Sequence, residues 1–324
     1  METRKIQTVG GGTYTVSVPK EWARKQNLET GEAVRLYTHR DGSLIVRGEQ
    51  SEATPLASVT LSVDDHSIGA VEQLVHGAYV TGFERITIVA QDPLPPEHRQ
   101  AVRTVSRQLV GTNVLETEPT ALVVRAMLDS SAVSVRQSID QAVSIVTSML
   151  QTTVDGLSEG TPITEHVQHR RPEVTRLAAL IRRHHNRSLR SFEQLDALGI
   201  DRVPLARYTR MAGRLEDVAT TIVRLAEIVE EVSLSDEHSQ IVADQIDTIG
   251  SSLQAASECI LDQTKRIDPA SQRLPSADRH LDHGGPDDGA SDPARARVRD
   301  ALGRLRADVR SVERLGDQPA IAHQ

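Results

Sequence analysis

Lys5, Lys20 and Arg24, with Arg4 and Lys25 beside them, are the residues of this chain best suited to chemistry, and that chemistry is contact with phosphates. An ammonium is a compact point charge and a guanidinium a planar fork; both bind phosphate oxygens and release counterions from a polyanion. Of the 37 basic residues only four are lysines, and three of these fall within the first 25 positions. A second group is Glu313 and Asp317, four apart and so on one face of a helix, where clustered carboxylates suit a divalent cation. Asp217 is a lone third candidate for such a metal. His184-His185, among Arg182, Arg183 and Arg187, could form an anion or metal site, but a polar helix face is the simpler expectation. No nucleophile–base pair, glycine-rich phosphate loop or metal triad is spaced for catalysis, so the chain is not expected to be an enzyme or to carry a cofactor.

Charge separates the first fifty residues from the rest. They hold eight Lys/Arg against six Asp/Glu, a balance of +2, which leaves −10 for the remainder of a chain of net charge −8. A general attraction to nucleic acid is therefore excluded, and only this segment has the sign for it. In a dimer the patch doubles about a twofold axis, which is how symmetric proteins meet paired half-sites. A single cysteine, Cys259, excludes an internal disulfide and fits a reducing compartment. The start of the sequence has no apolar leader run, and no stretch has the roughly 20 apolar residues of a membrane span, so a cytoplasmic protein is expected.

The elements that must position the basic residues are short. Tyr14, Val16 and Val18 alternate with Thr13, Thr15 and Ser17, the pattern of a strand with one buried face. Pro19 ends it and opens a helix over Lys20 to Asn27. After a turn at Gly31, Val34–Tyr37 and Leu44–Val46 predict a hairpin around Asp41-Gly42. Fifty residues bury too little apolar surface to stand alone, and with neither disulfide nor metal pattern the remedy is dimerisation.

Thr13-Tyr-Thr-Val-Ser-Val-Pro-Lys-Glu-Trp-Ala-Arg24, followed by Gly31-Glu-Ala-Val-Arg-Leu-Tyr37, resembles the SpoVT/AbrB swapped-hairpin DNA-binding domain, most of all the version fused to PhoU-type phosphate regulators in archaea. The resemblance implies that two chains exchange hairpins into one β-barrel and that Arg4, Lys5, Lys20, Arg24 and Lys25 lie on DNA.

Behind this head, residues 56–128 predict a small α/β connector in the order βαβαββ. Strands are expected at Val59–Val63, Arg85–Val89, Val114–Thr117 and Ala121–Val124, with helices from Ile68 and from Pro95-Pro96. Strands joined through helices are expected to pair in parallel. From residue 130 the spacing is helical. Ile139, Ala142, Val146 and Met149 mark one helix beginning near Ser134, and a second is expected to open at Pro172 with Val174, Leu177 and Ile181 inward. Leu205, Tyr208, Ala212, Leu215, Ala219, Ile222, Ala226 and Val229 form the seam of a third, and a fourth starts at Ser235. Residues 266–293 are polar and Gly/Pro-rich, the composition of a disordered linker, and 294–317 predict a last helix.

Gly213-Arg-Leu-Glu-Asp-Val-Ala-Thr-Thr-Ile222 and Glu173-Val-Thr-Arg-Leu177 resemble helix motifs of PhoU domains, and Ser311-Val-Glu-Arg-Leu-Gly-Asp317 resembles the start of a second copy. The fold class expected is multidomain α+β: the head at 1–50, the connector, a PhoU-like antiparallel bundle over 130–265, and the last helix. The resemblance implies a homodimeric, DNA-binding regulator of phosphate uptake. The alternatives are a cytoplasmic adaptor that docks on a phosphate transporter or signalling partner without binding DNA, and an antitoxin. In the PhoU family, carboxylates four apart can hold metal on the outer face of the bundle; Gly213 stands here where the first of one such pair would be, which leaves Asp217 alone.

Overall fold

The computed structural model describes residues 3–38, 42–48, 56–128, 130–232, 234–262 and 293–316. The chain is mixed α+β and mostly helical, and divides into two compact units, 1–57 and 58–324.

The first unit contains two separate hairpins. Strands β1 (Gln7–Val9) and β2 (Thr13–Thr15) pair antiparallel around three glycines, Gly10 taking a φ of +66°. Helix α1 (Lys20–Lys25) follows Pro19, whose fixed φ and missing N–H suit the start of a helix. It closes through Asn27 at a φ of +52°, and the Leu28 amide donates back to the Ala23 carbonyl. Strands β3 (Val34–Thr38) and β4 (Leu44–Gly48) pair with Leu36 opposite Val46, as the alternation predicts, and Gly42 in the turn has a φ of +82°. Asp41 lies outside the described residues. A Cβ on Gly48 would stand 2.7 Å from Leu28, so only glycine lets that side chain close against β4. The two hairpins do not share a sheet, and no barrel closes among the described residues.

The second unit begins with one sheet of four strands in the order β5-β6-β8-β7: β5 (Ser58–Ser62), β6 (Arg85–Val89), β7 (Thr112–Glu118) and β8 (Ala121–Ala126). Helices α2 (Ile68–Thr81) and α3 (Pro96–Arg107) connect them in the expected βαβαββ order. Ile86, Ile88, Leu122 and Val124 share one sheet face and bury against Val71, Val75 and Val102 of the helices. The expected parallel pairing holds for β5 and β6 only. The crossover through α3 runs to the far edge, and β8 inserts between β6 and β7 as the antiparallel partner of both. The reason is local: β7 and β8 are joined by the tight Pro119-Thr120 turn, and a hairpin forms at far lower chain entropy than a long crossover.

Five long helices complete the unit: α4 (Val135–Glu159), α5 (Thr164–Ser188), α7 (Arg202–Glu231), α8 (Asp236–Leu261) and α9 (Pro293–Gly316), with short α6 (Phe192–Ala197) between α5 and α7. Ile139, Val146, Leu205, Leu215 and Ile222, read as seams, are fully buried, and Ile246, Leu253, Leu302 and Val309 join them in one cluster. Ser134 and Ser235 cap α4 and α8 with their side chains, which places both starts where the sequence put them.

One boundary needs correction. Pro172 does not open α5 but sits inside it, the helix having begun at Thr164. An interior proline costs about 3 kcal/mol. Ile163 and Val167, buried upstream, each recover roughly 1.5–3 kcal/mol, and exposed Pro172 leaves the orphaned carbonyl beside water. No side chain of its own caps α5. Glu230, from the end of α7, accepts the Ile163 and Thr164 amides at 2.5 and 2.7 Å instead. Although desolvation alone raises it, these donors hold the Glu230 carboxyl below the usual glutamate range. Glu230→Ala is accordingly expected to lower stability by about 1 kcal/mol, read from the urea midpoint, with Glu230→Gln retaining part of it; an unchanged midpoint for Glu230→Ala would show that water replaces the cap. Residues 263–292, which include most of the expected linker, lie outside the described residues. Among those described, no helix is long and apolar enough to cross a membrane.

Candidate nucleic-acid interface

Each of the five basic residues expected to meet phosphate is exposed on the first unit. Helix α1 places Lys20 and Arg24 four residues apart, hence on one face, with Lys25 adjacent and Glu21 the single acid of the helix. Pro19 before it and the left-handed Asn27 after it fix both ends of a helix too short to hold itself. Arg4 and Lys5 lie in the segment that leads into β1. The helix thus groups three of the five cations, and the other two precede the first hairpin.

The described apolar residues of the two hairpins enter no core. None of residues 3–38 is buried. Tyr14 is 76% exposed and Leu36 64%, and Ile6, Val9, Val16, Val18, Val34 and Leu44 are also exposed. Tyr14, Val16 and Val18, read as one buried face, are thus bare in the single chain. Val34, Leu36, Leu44 and Val46 share one face of the β3–β4 hairpin, and three of these four are exposed. An apolar face this continuous is the mark of an interface.

The carboxylates fall differently. Asp217 is exposed on α7 and pairs with Arg214 at 3.3 Å. Glu313 is buried in α9 rather than displayed on its outer surface, and Asp317 lies outside the described residues. Among the described residues no group of three His, Cys, Asp or Glu could hold a metal ion.

His184-His185 and the arginines around them are not a polar surface face. Arg183 is 2% exposed and His184 1%. The Arg183 guanidinium donates to the Tyr79 carbonyl at 2.7 Å and the Phe83 carbonyl at 2.9 Å, and stands 4.8 Å over the Tyr79 ring. Asn186 donates to Val80, and Arg187 to Gly82 and to the Glu84 carboxylate. Apart from the Glu84 carboxylate, these acceptors are carbonyls in and just beyond the last turn of α2, where Gly82 turns left-handed at a φ of +113° and its amide shares the Tyr79 carbonyl. Cations from α5 therefore satisfy the C-terminus of α2 and oppose its dipole. Burial pulls the Arg183 guanidinium down to about 10, which still leaves it charged. Burial, with Arg183 and Arg187 beside it, pushes His184 down to about 4, so that imidazole is neutral. Ala179, Arg183, Asn186 and Arg187 form a stripe on α5 distinct from the bundle-facing Val174, Ala178 and Ile181, but its polar members read in sequence like any solvated face.

Comparison with protein families matches residues 7–54 to the antidote-toxin recognition MazE family of bacterial antitoxins. The chain therefore carries a MazE/AbrB-type domain at its N-terminus, over the two hairpins and α1. Comparison with curated proteins and with solved structures found no match.

Proposed function

We propose that this chain is a homodimeric, DNA-binding transcriptional regulator whose N-terminal domain contacts DNA and whose helical unit receives the controlling input. The observation that carries the reading is the coincidence, within one domain of MazE/AbrB type, of exposed cations on α1 with apolar hairpin faces that have no cover in a single chain. Two copies exchanging or stacking hairpins would bury those faces, and the same twofold would set two α1 helices against paired half-sites. Phosphate uptake is the process we assign, on the PhoU-like motifs Glu173–Leu177 in α5, Gly213–Ile222 in α7 and Ser311–Gly316 in α9. The adaptor reading keeps the dimer and the input but removes the DNA. The family's description as an antitoxin favours a further reading, in which a protein toxin is the partner of the helical unit.

Binding of the full chain to labelled DNA from upstream of phosphate-transport genes, titrated against salt, is the test. The affinity is expected to fall steeply with salt. Replacing Lys5, Lys20 and Arg24 together by Gln removes six phosphate contacts from a dimer, which should flatten the slope of log K against log salt by about 5. An unchanged slope would remove these residues from the interface. No binding at any salt, with transporter components or a toxin co-purifying, would install one of the other readings.

A further inference from the structure

The groove where α5 and α9 flank α7 has two halves of unlike charge. Towards the α9 N-terminus it is lined by four arginines, Arg171, Arg224, Arg297 and Arg304, and by three carboxylates, Glu227, Glu231 and Asp300. Arg297 pairs there with Glu231 at 2.5 Å. Towards the α9 C-terminus it opens into a cavity of about 480 Å³ lined by another four arginines, Arg182, Arg210, Arg214 and Arg314, against a single carboxylate, Asp217. One half is nearly balanced, whereas the lining of the other, counted with Glu216 beside it, carries a net charge of +2 in a chain whose total is −8. Arg182 and Arg214 have carboxylate partners in Glu216 and Asp217, and a concave surface with a surplus of one sign concentrates ions of the other.

The cavity wall is also built to hold one of these cations. Arg182 reaches from α5 to the Glu216 carboxylate on α7, which anchors its guanidinium beside the cavity. A Cβ at position 213 would stand 3.3 Å from its Nη2, so Gly213 leaves the guanidinium its space. Arg210 and Arg214 approach from α7, one turn apart, and Arg314 from the last turn of α9.

We infer that this cavity binds a small polyanion bearing two or more phosphoryl groups. Guanidinium forks match phosphoryl oxygens bidentately, and cations on three helices suit an anion with oxygens on several sides. The volume falls within the roughly 300–1,000 Å³ of small-ligand pockets, more than one phosphate fills. Among the described residues no aromatic side chain lines it and Leu315 is its sole large apolar one, so they offer no platform for a nucleobase. Recognition is confined to the charged part of the ligand. The site lies wholly within the helical unit and does not depend on whether the N-terminal domain binds DNA.

Isothermal titration of the full chain with tripolyphosphate, orthophosphate, ATP and citrate tests this. Tripolyphosphate is expected to bind once per chain, at least tenfold tighter than orthophosphate or citrate, with ATP within threefold of tripolyphosphate. Arg210→Gln with Arg314→Gln should weaken tripolyphosphate at least thirtyfold. Arg224→Gln with Arg304→Gln, in the balanced half, should change it less than twofold, as should the Lys5, Lys20 and Arg24 replacements in the N-terminal domain. Gly213→Glu, which places a carboxylate beside Arg182, should abolish binding, and thermal melts of all variants establish that they fold. The inference is overturned by no binding of tripolyphosphate, by citrate binding equally well, or by equal losses in both halves of the groove. Loss of binding in the N-terminal variant alone would overturn it too, and would place the anion on the surface that the proposed function gives to DNA.

Discussion

Arg183→Met is expected to lower stability by about 2 kcal/mol and to separate the unfolding of the sheet layer from that of the helices. The methionine fills much of the same space but donates nothing, so the Tyr79 and Phe83 carbonyls lose the guanidinium they share. A carbonyl left unpaired costs about 1–3 kcal/mol; the Tyr79 carbonyl keeps the Gly82 amide, so that of Phe83 is the one stranded. Removing a desolvated charge returns part of that, since burial already weakens the guanidinium. Arg187→Met should cost only about 1 kcal/mol, because its carboxylate partner Glu84 is exposed and water can serve it. Hydrogen exchange gives the distinctive readout. Amides in the last turns of α2, from Val75 to Thr81, should lose protection in Arg183→Met while those of α7 and α8 keep theirs. Equal urea midpoints for the two variants, or a uniform loss of protection across both layers, would show that this contact does not hold the sheet layer to the helices.

That contact also marks the limit of what periodicity can express. The buried stripes of α4, α7, α8 and α9 were legible because a helix packed on one side alone repeats apolar residues every three or four positions, and Ile139 to Met149 or Leu205 to Ala226 do so without interruption. Helix α5 packs on two sides. Ile181 enters the bundle core and Ala179 the sheet-layer core, and the second side is completed by Arg183 and Asn186. A buried arginine that pairs with carbonyls has the same sequence signature as a solvated one, since its partners, 100 and 104 positions away, are backbone atoms of any residue type. Pro172 misled for a related reason: its local cost is visible in sequence, whereas the burial of Ile163 and Val167 and the cap from Glu230 that outweigh it arrive from α7 and the core. In the N-terminal domain the hairpin register and the start of α1 followed from alternation and from Pro19. What covers its apolar faces could not follow from the sequence of one chain, because no described part of the first unit buries them.

The largest effect is therefore expected at that cover. Leu36→Asp, opposite Val46 at the centre of the β3–β4 face, puts a carboxylate where two copies would exclude water. Desolvating an unpaired charge costs several kcal/mol, which exceeds what a face of this size recovers by burial, so the dimer should dissociate. Trp22 is the one tryptophan of the chain and lies in α1, so its fluorescence reports the N-terminal domain while far-ultraviolet circular dichroism is dominated by the helical unit. In the parent protein the Trp22 transition should move with concentration, each tenfold increase adding about 1.4 kcal/mol through mass action, and the dichroism transition should not. In Leu36→Asp the fluorescence should already be that of an unfolded domain at micromolar concentration, with the dichroism transition intact. Affinity for the DNA site should fall at least a hundredfold, because a monomer loses both the folded α1 and the linked second half-site. Leu189→Asp, an equally exposed leucine on the helical unit, supplies the control and should leave all three measurements where they were. A Trp22 transition independent of concentration in the parent protein, or a Leu36→Asp chain that keeps its DNA affinity, would mean that the exposed hairpin face is not where two chains meet.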